Sequence, residues 1–222
     1  MIRDALLIAR KDLAIEWRSR VVVNQIAPFT ILVLLLFGFA LDADTQTLRD
    51  TAPGLFWVAV LLVALLAVQR AVSLEIADGA NERLLLSSVD PASVFCGKAL
   101  ALGAQLLLLE ALMLAAVIVF FDSSIERPAL VVCTAVLATA GIASAGTLYG
   151  VLAVGSGASE TLLPILLLPV LAPVLISATR AFGDAFDRVD VDGWAWLGML
   201  GVFAVIYTVF GLLAYGALME DS

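Results

Sequence analysis

The chain has 222 residues, of which 63% are hydrophobic and 14% charged, with a mean hydropathy of +1.09. Soluble domains are about a quarter charged and under half apolar, so this composition describes an integral membrane protein with room for about six spans and none for a soluble catalytic domain. A formal net charge of −8 argues against nucleic acid as a partner, the absence of histidine excludes imidazole acid–base chemistry, and Cys96 and Cys133, with no CxxC, provide neither a disulfide framework nor a metal pair.

Residues 1–20 repeat apolar side chains at Ile2, Leu6, Ala9, Leu13 and Trp17, with Arg3, Arg10, Lys11, Arg18 and Arg20 mostly off that face. A secretory signal would place its apolar core directly after a short basic end. This longer, periodic segment predicts an interfacial helix along the cytoplasmic leaflet. A first span is expected at about 21–41, then a polar hinge, then a second span at about 54–69. The interval 70–98 is the longest charged, turn-bearing stretch. Its Glu75, Asp78 and Glu82 recur at helical spacing, and Asp90-Pro91 is a helix start in which a carboxylate caps the open N–H groups. The expectation is a short surface helix over 75–87, a break, and a new helix entering the bilayer.

The third span, about 99–121, carries Glu110 near its centre, with Gln105 on a different face. A carboxylate at bilayer depth is costly, so Glu110 reads as a neutral acid hydrogen-bonded between spans, with a translocation or assembly surface as the functional alternative. The fourth span, about 129–154, holds Gly146 and Gly150 as GxxxG, read as packing within the subunit. The fifth, about 161–178, contains Pro164, Pro169 and Pro173. Each removes a helical hydrogen bond, which predicts a helix kinked or broken and packed against partners. Phe182, Phe186 and Val189 suggest a short amphipathic helix on the outer surface, before Trp194 and Trp196 open a sixth span at about 194–218. Orientation follows from lysine and arginine: 1–20 and 70–98 hold eight of the twelve, against Arg49, Arg127, Arg180 and Arg188 on the other side. Both termini are therefore expected in the cytoplasm of a multi-pass cell-membrane protein, the whole chain (1–222) forming one membrane domain.

No GxxxxGK[ST] loop is present, so the chain has no ATPase site of its own, and no metal or nucleophile signature stands out. Asp78-Gly79, Glu82 and Leu84-Leu85-Leu86-Ser87 resemble the coupling segment "D-G-x-x-E-x-L-L-L-S" of type-2 ABC permeases. Leu168-Pro169 through Pro173-Val-Leu-Ile176 is similar to the "L-P-x-x-x-P-V-L-I" of the CcmB family, haem exporter protein B of cytochrome c maturation. Arg83 departs from that pattern and adds a positive charge to the docking face.

The resemblance implies an all-α, ABC-2 permease-like fold of six transmembrane helices with an N-terminal interfacial helix and a cytoplasmic coupling helix. It implies a transport subunit rather than an enzyme, working with a CcmA-like ATPase that binds ATP, CcmC-like and CcmD-like membrane subunits and a CcmE-like haem chaperone. A homodimer is compatible with it. The coupling residues it implies are Glu75, Asp78, Gly79, Glu82, Leu84 and Leu85, with Glu110, Pro169 and Pro173 as intramembrane candidates. Haem belongs to the complex. Without imidazole this chain is a poor axial ligand, and no cofactor is expected on it. The competing readings are a type-2 ABC permease for a lipid, drug or glycan precursor, and a membrane scaffold without an ATPase.

Overall fold

The computed structural model describes residues 1–40, 45–78, 89–155 and 159–220. The described residues form helices joined by short turns: α1 (Ile2–Ser19), a π turn (Val22–Ile26), α2 (Ala27–Ala40), α3 (Thr45–Asp78), α4 (Pro91–Phe120), α5 (Pro128–Gly155), α6 (Ser159–Ala185) and α7 (Gly193–Glu220). Helices satisfy every backbone group within the segment, which is what a lipid solvent demands. Five of them (46–76, 91–120, 128–153, 161–185 and 193–219) are long and apolar enough to cross a membrane. α1 and Asn24–Ala40, which meet at a bend of 53°, pass the same test of length and apolarity only when taken together. The chain is an all-α integral membrane protein.

Two expected boundaries are corrected, both because a helix runs on past its apolar window. α3 has 34 residues, about 50 Å at 1.5 Å per residue, against a hydrocarbon core of about 30 Å. Its surplus absorbs most of the expected polar hinge, including Pro53, and at the other end Arg70, Ser73 and Glu75. No separate surface helix begins at Glu75. α6 likewise continues to Ala185, so the expected amphipathic surface helix around 182–189 does not form. Instead Ala178, Ala181, Phe182, Ala185 and Phe186 extend the buried stripe of the span itself. Phe182 stacks on Phe56 and meets Trp57 edge-on, each at 5.0 Å between ring centroids, and contacts Phe186 at 5.8 Å.

α6 ends in a left-handed cap. Asp187 has φ +55°, its N–H donates to the Asp184 carbonyl, and the Arg188 N–H donates to the Gly183 carbonyl at 2.8 Å. These paired bonds are those of a Schellman motif. A Cβ on Gly183 would lie 2.5 Å from Val189 Cγ2, so glycine is what lets the returning chain settle on the helix. The carbonyl of Ala185 accepts backbone N–H bonds from Glu126 and Arg127. Asp184, buried although charged, accepts from Arg127 and from the Gly193 N–H that opens α7. One carboxylate thus ties the ends of α5, α6 and α7 together. Asp184→Asn keeps an acceptor for Gly193 but loses the charge facing the half-exposed Arg127. The expected destabilisation is about 1–2 kcal/mol, read as a lower apparent melting temperature in detergent. No change would show that Arg127 does not need the charge.

The interior is held by close small-residue packing. A Cβ on Gly146 would lie 2.6 Å from Val68 Cγ2, and one on Gly150 would lie 3.0 Å from Val72 Cγ2. The GxxxG of α5 therefore seats α3 within the subunit, as expected. Ser144 and Thr208 hydrogen-bond at 3.0 Å between α5 and α7.

Candidate functional site

The end of the bundle that carries α1 also gathers the end of α3, the start of α4, and the ends of α5 and α7. α1 rests directly on α4. A Cβ on Gly97 would come within 2.7 Å of both the Ala5 carbonyl oxygen and Ile8 Cβ, so the bare backbone of Gly97 is what permits the contact. Ala5, Ala9 and Glu16 are buried there, with Asp12 partly so, on the 4-3-4 spacing of a helix seam. Ile2, Leu6, Leu13 and Trp17 are exposed on the other face. α1 thus has two working faces, of which the apolar periodicity revealed one.

Above this contact the helices exchange charge. Lys98 Nζ on α4 donates to Glu75 Oε1 on α3 at 2.5 Å, with only 10% and 16% of the two side chains exposed. Arg70 Nε on α3 lies 3.8 Å from Glu16 Oε2 on α1, and Ser19 Oγ donates to the Glu16 carbonyl at 2.8 Å. Asp12, Glu16, Arg70, Glu75, Lys98 and Gln105 surround a cavity of about 90 Å³ whose floor includes Gly146 and Gly150. Among the described residues there is no cluster of His, Cys, Asp and Glu able to hold a metal. The two ion pairs link α3 to α1 and to α4.

The helix start at Asp90 forms as expected. Its side chain accepts from the Ala92 N–H at 3.4 Å and from Ser93 Oγ at 3.1 Å, with Pro91 at the first helical position. The coupling residues divide. Glu75 does not face outward as part of an acidic stripe, because it turns inward to Lys98. Asp78 closes α3, with its side chain outside what is described, and Gly79, Glu82, Leu84 and Leu85 lie outside the described residues. The helices on either side of this segment, α3 and α4, are joined at their facing ends by the Lys98–Glu75 bond.

Glu110 is buried midway along α4, where its Oε1 accepts from Thr139 Oγ1 on α5 at 2.6 Å. That is the expected acid hydrogen-bonded between spans. Glu110→Gln preserves the acceptor and should change stability by less than about 1 kcal/mol. A large drop in melting temperature would show that a charged carboxylate is needed there.

Pro169 and Pro173 lie within a helix that is continuous across all three prolines. Leu163, Leu167, Leu171 and Val174 take the buried stripe, which leaves Pro164 and Pro173 half-buried and Pro169 exposed on the outer flank. Of the two expected forms, kinked or broken, the broken one is absent, and Pro169 is exposed. Lys98, Arg70, Glu16 and Asp184 were not singled out from the sequence. Glu16 and Asp184 fall in register with buried small or aromatic residues, a signal that apolar counting passes over.

The family model for the CcmB protein matches residues 3–222. A "Heme exporter protein B" from Haemophilus influenzae is 31% identical over 214 residues, covering 94% of this chain and 95% of the relative. One from Pseudomonas aeruginosa is 29% identical over 219 residues, covering 95% and 94%. One from Escherichia coli K12 is 31% identical over 206 residues, covering 87% of each. The match runs through every helix described above, including the charged seam of α1, α3 and α4: the chain belongs to the CcmB family.

Proposed function

We propose that this chain is the membrane subunit of a haem-delivery complex of cytochrome c biogenesis, coupling ATP hydrolysis on a partner ATPase to release of the haem-loaded chaperone or to haem export. The observation that carries this reading is the family match over essentially the whole chain, shared with relatives named heme exporter protein B. The partners proposed with it are a CcmA-like ATPase that binds ATP, CcmC-like and CcmD-like subunits, and a CcmE-like chaperone that carries haem. No ATP or haem site is assigned to this chain. The excess of lysine and arginine in 1–20 and 70–98 supports a cytoplasmic position for both termini and for the segment that meets the ATPase.

The mechanism is mechanical. Movement of the ATPases displaces residues 79–88, and that displacement enters the bundle through the end of α3 and the start of α4. Lys98–Glu75 keeps the two helix roots moving as one, and Arg70–Glu16 adds α1 to the moving unit. Co-expression with the ATPase and purification of the complex tests the reading. The expected result is copurification and ATP-dependent chaperone release. A chain that never binds an ATPase would instead be a scaffold.

A further inference from the structure

The opposite end of the bundle carries an open cleft of about 610 Å³ between the first turns of α3 and the last turns of α6, a volume within the usual range of about 300–1,000 Å³ for small-molecule sites. Its walls are largely apolar, with Trp57, Val58 and Ile176 among them, and Arg180 and Arg188 stand at its rim. Val58 and Ile176 are exposed although they lie on spanning helices, so the cleft opens sideways into the hydrocarbon.

Three of the lining residues carry under-used donors. Trp57 is 1% exposed, yet its indole N–H has no acceptor among the described residues. Arg188 Nε is buried and has no partner among the described residues. The Arg188 ion pair with Asp50 is stretched to 4.0 Å, while Asp50 accepts two bonds from Gln46 Nε2, at 3.0 and 3.2 Å. Arg180 is exposed, and no ion pair with it is seen among the described residues. Asp50 is the only acid among the lining residues. The left-handed cap at Asp187 is what turns Arg188 back towards α6 and this cleft. Two guanidiniums and one buried indole N–H, above an apolar wall open to lipid, match the chemistry of an acidic headgroup joined to an acyl chain.

We propose that this cleft binds an anionic phospholipid. Arg180 and Arg188 hold the phosphate, Trp57 Nε1 donates to a headgroup or ester oxygen, and an acyl chain lies along Val58 and Ile176. The proposal is independent of the haem-delivery reading, since it needs neither ATP nor a partner.

Native mass spectrometry of the purified full chain, titrated with phosphatidylglycerol or phosphatidylcholine of matched chains, tests it. Phosphatidylglycerol should bind about tenfold more tightly, as expected for a charge-assisted pair. The double substitution Arg180→Gln, Arg188→Gln should abolish that preference. Trp57→Phe, which keeps the aromatic packing and removes only the N–H, should weaken binding about fivefold. Equal binding of the two lipids, or unchanged phosphatidylglycerol binding in both the double variant and Trp57→Phe, would overturn the proposal. Displacement of the lipid by comparable concentrations of inorganic phosphate would reassign the cleft to a soluble anion. Tighter, arginine-dependent binding of a porphyrin dicarboxylate would reassign it to that ligand.

Discussion

Reversing the charge at Lys98 is expected to pull α3 and α4 apart at the end of the bundle that carries the termini. Lys98→Glu leaves Glu75 without its cation and sets a second carboxylate against it, at a place where both side chains are mostly out of water. Removing one partner of such a pair costs about 3–5 kcal/mol, because the remaining charge stays buried and unpaired. The variant should show a clearly lower melting temperature and lose chaperone release. Exchanging the two residues (Lys98→Glu with Glu75→Lys) should restore most of both. If the single variant retains full stability, or the exchange rescues nothing, the bond is not what joins the helix roots.

The second large effect is expected at Glu82, which lies outside the described residues and is singled out by its place in the coupling-segment pattern. Glu82→Arg should leave the chain folded and the ATPase hydrolysing, while chaperone release per ATP falls about ten- to a hundredfold, the span of ordinary coupling energies. Hydrolysis and release measured on one preparation separate this outcome from simple misassembly, in which both would fall together. Normal coupling in the variant would count against the 79–88 segment as the point of entry. The Lys98 and Glu82 experiments also differ in kind. Lys98 is predicted to act through the structure of the bundle, and Glu82 only through its contact with the partner.

Much of this architecture is readable from side-chain type and local spacing. The bounds of α5 and α7 follow their apolar windows closely, and Asp90-Pro91 opens α4 as a capped start. Gly146 and Gly150 meet Val68 and Val72 within the subunit. Local spacing fails where a polar residue has a distant partner. Glu75 reads as part of an exposed stripe until Lys98, on the next helix, is brought against it. Asp184 lies in the segment expected on the outer surface, yet it is buried with Arg127 and Gly193 converging on it. The prolines of α6 suggest a helix kinked or broken by the loss of hydrogen bonds, and it is continuous, with Leu163, Leu167 and Leu171 buried along it.

The central claim is that the segment joining α3 to α4 meets a nucleotide-driven partner. Site-directed cross-linking tests it most directly, with Cys96 and Cys133 replaced by serine and a single cysteine placed at position 82 or at position 188. The account predicts cross-links to the co-expressed ATPase from position 82, in a yield that changes when ATP is added, and none from position 188. Cross-links from position 188 with none from position 82 would contradict it.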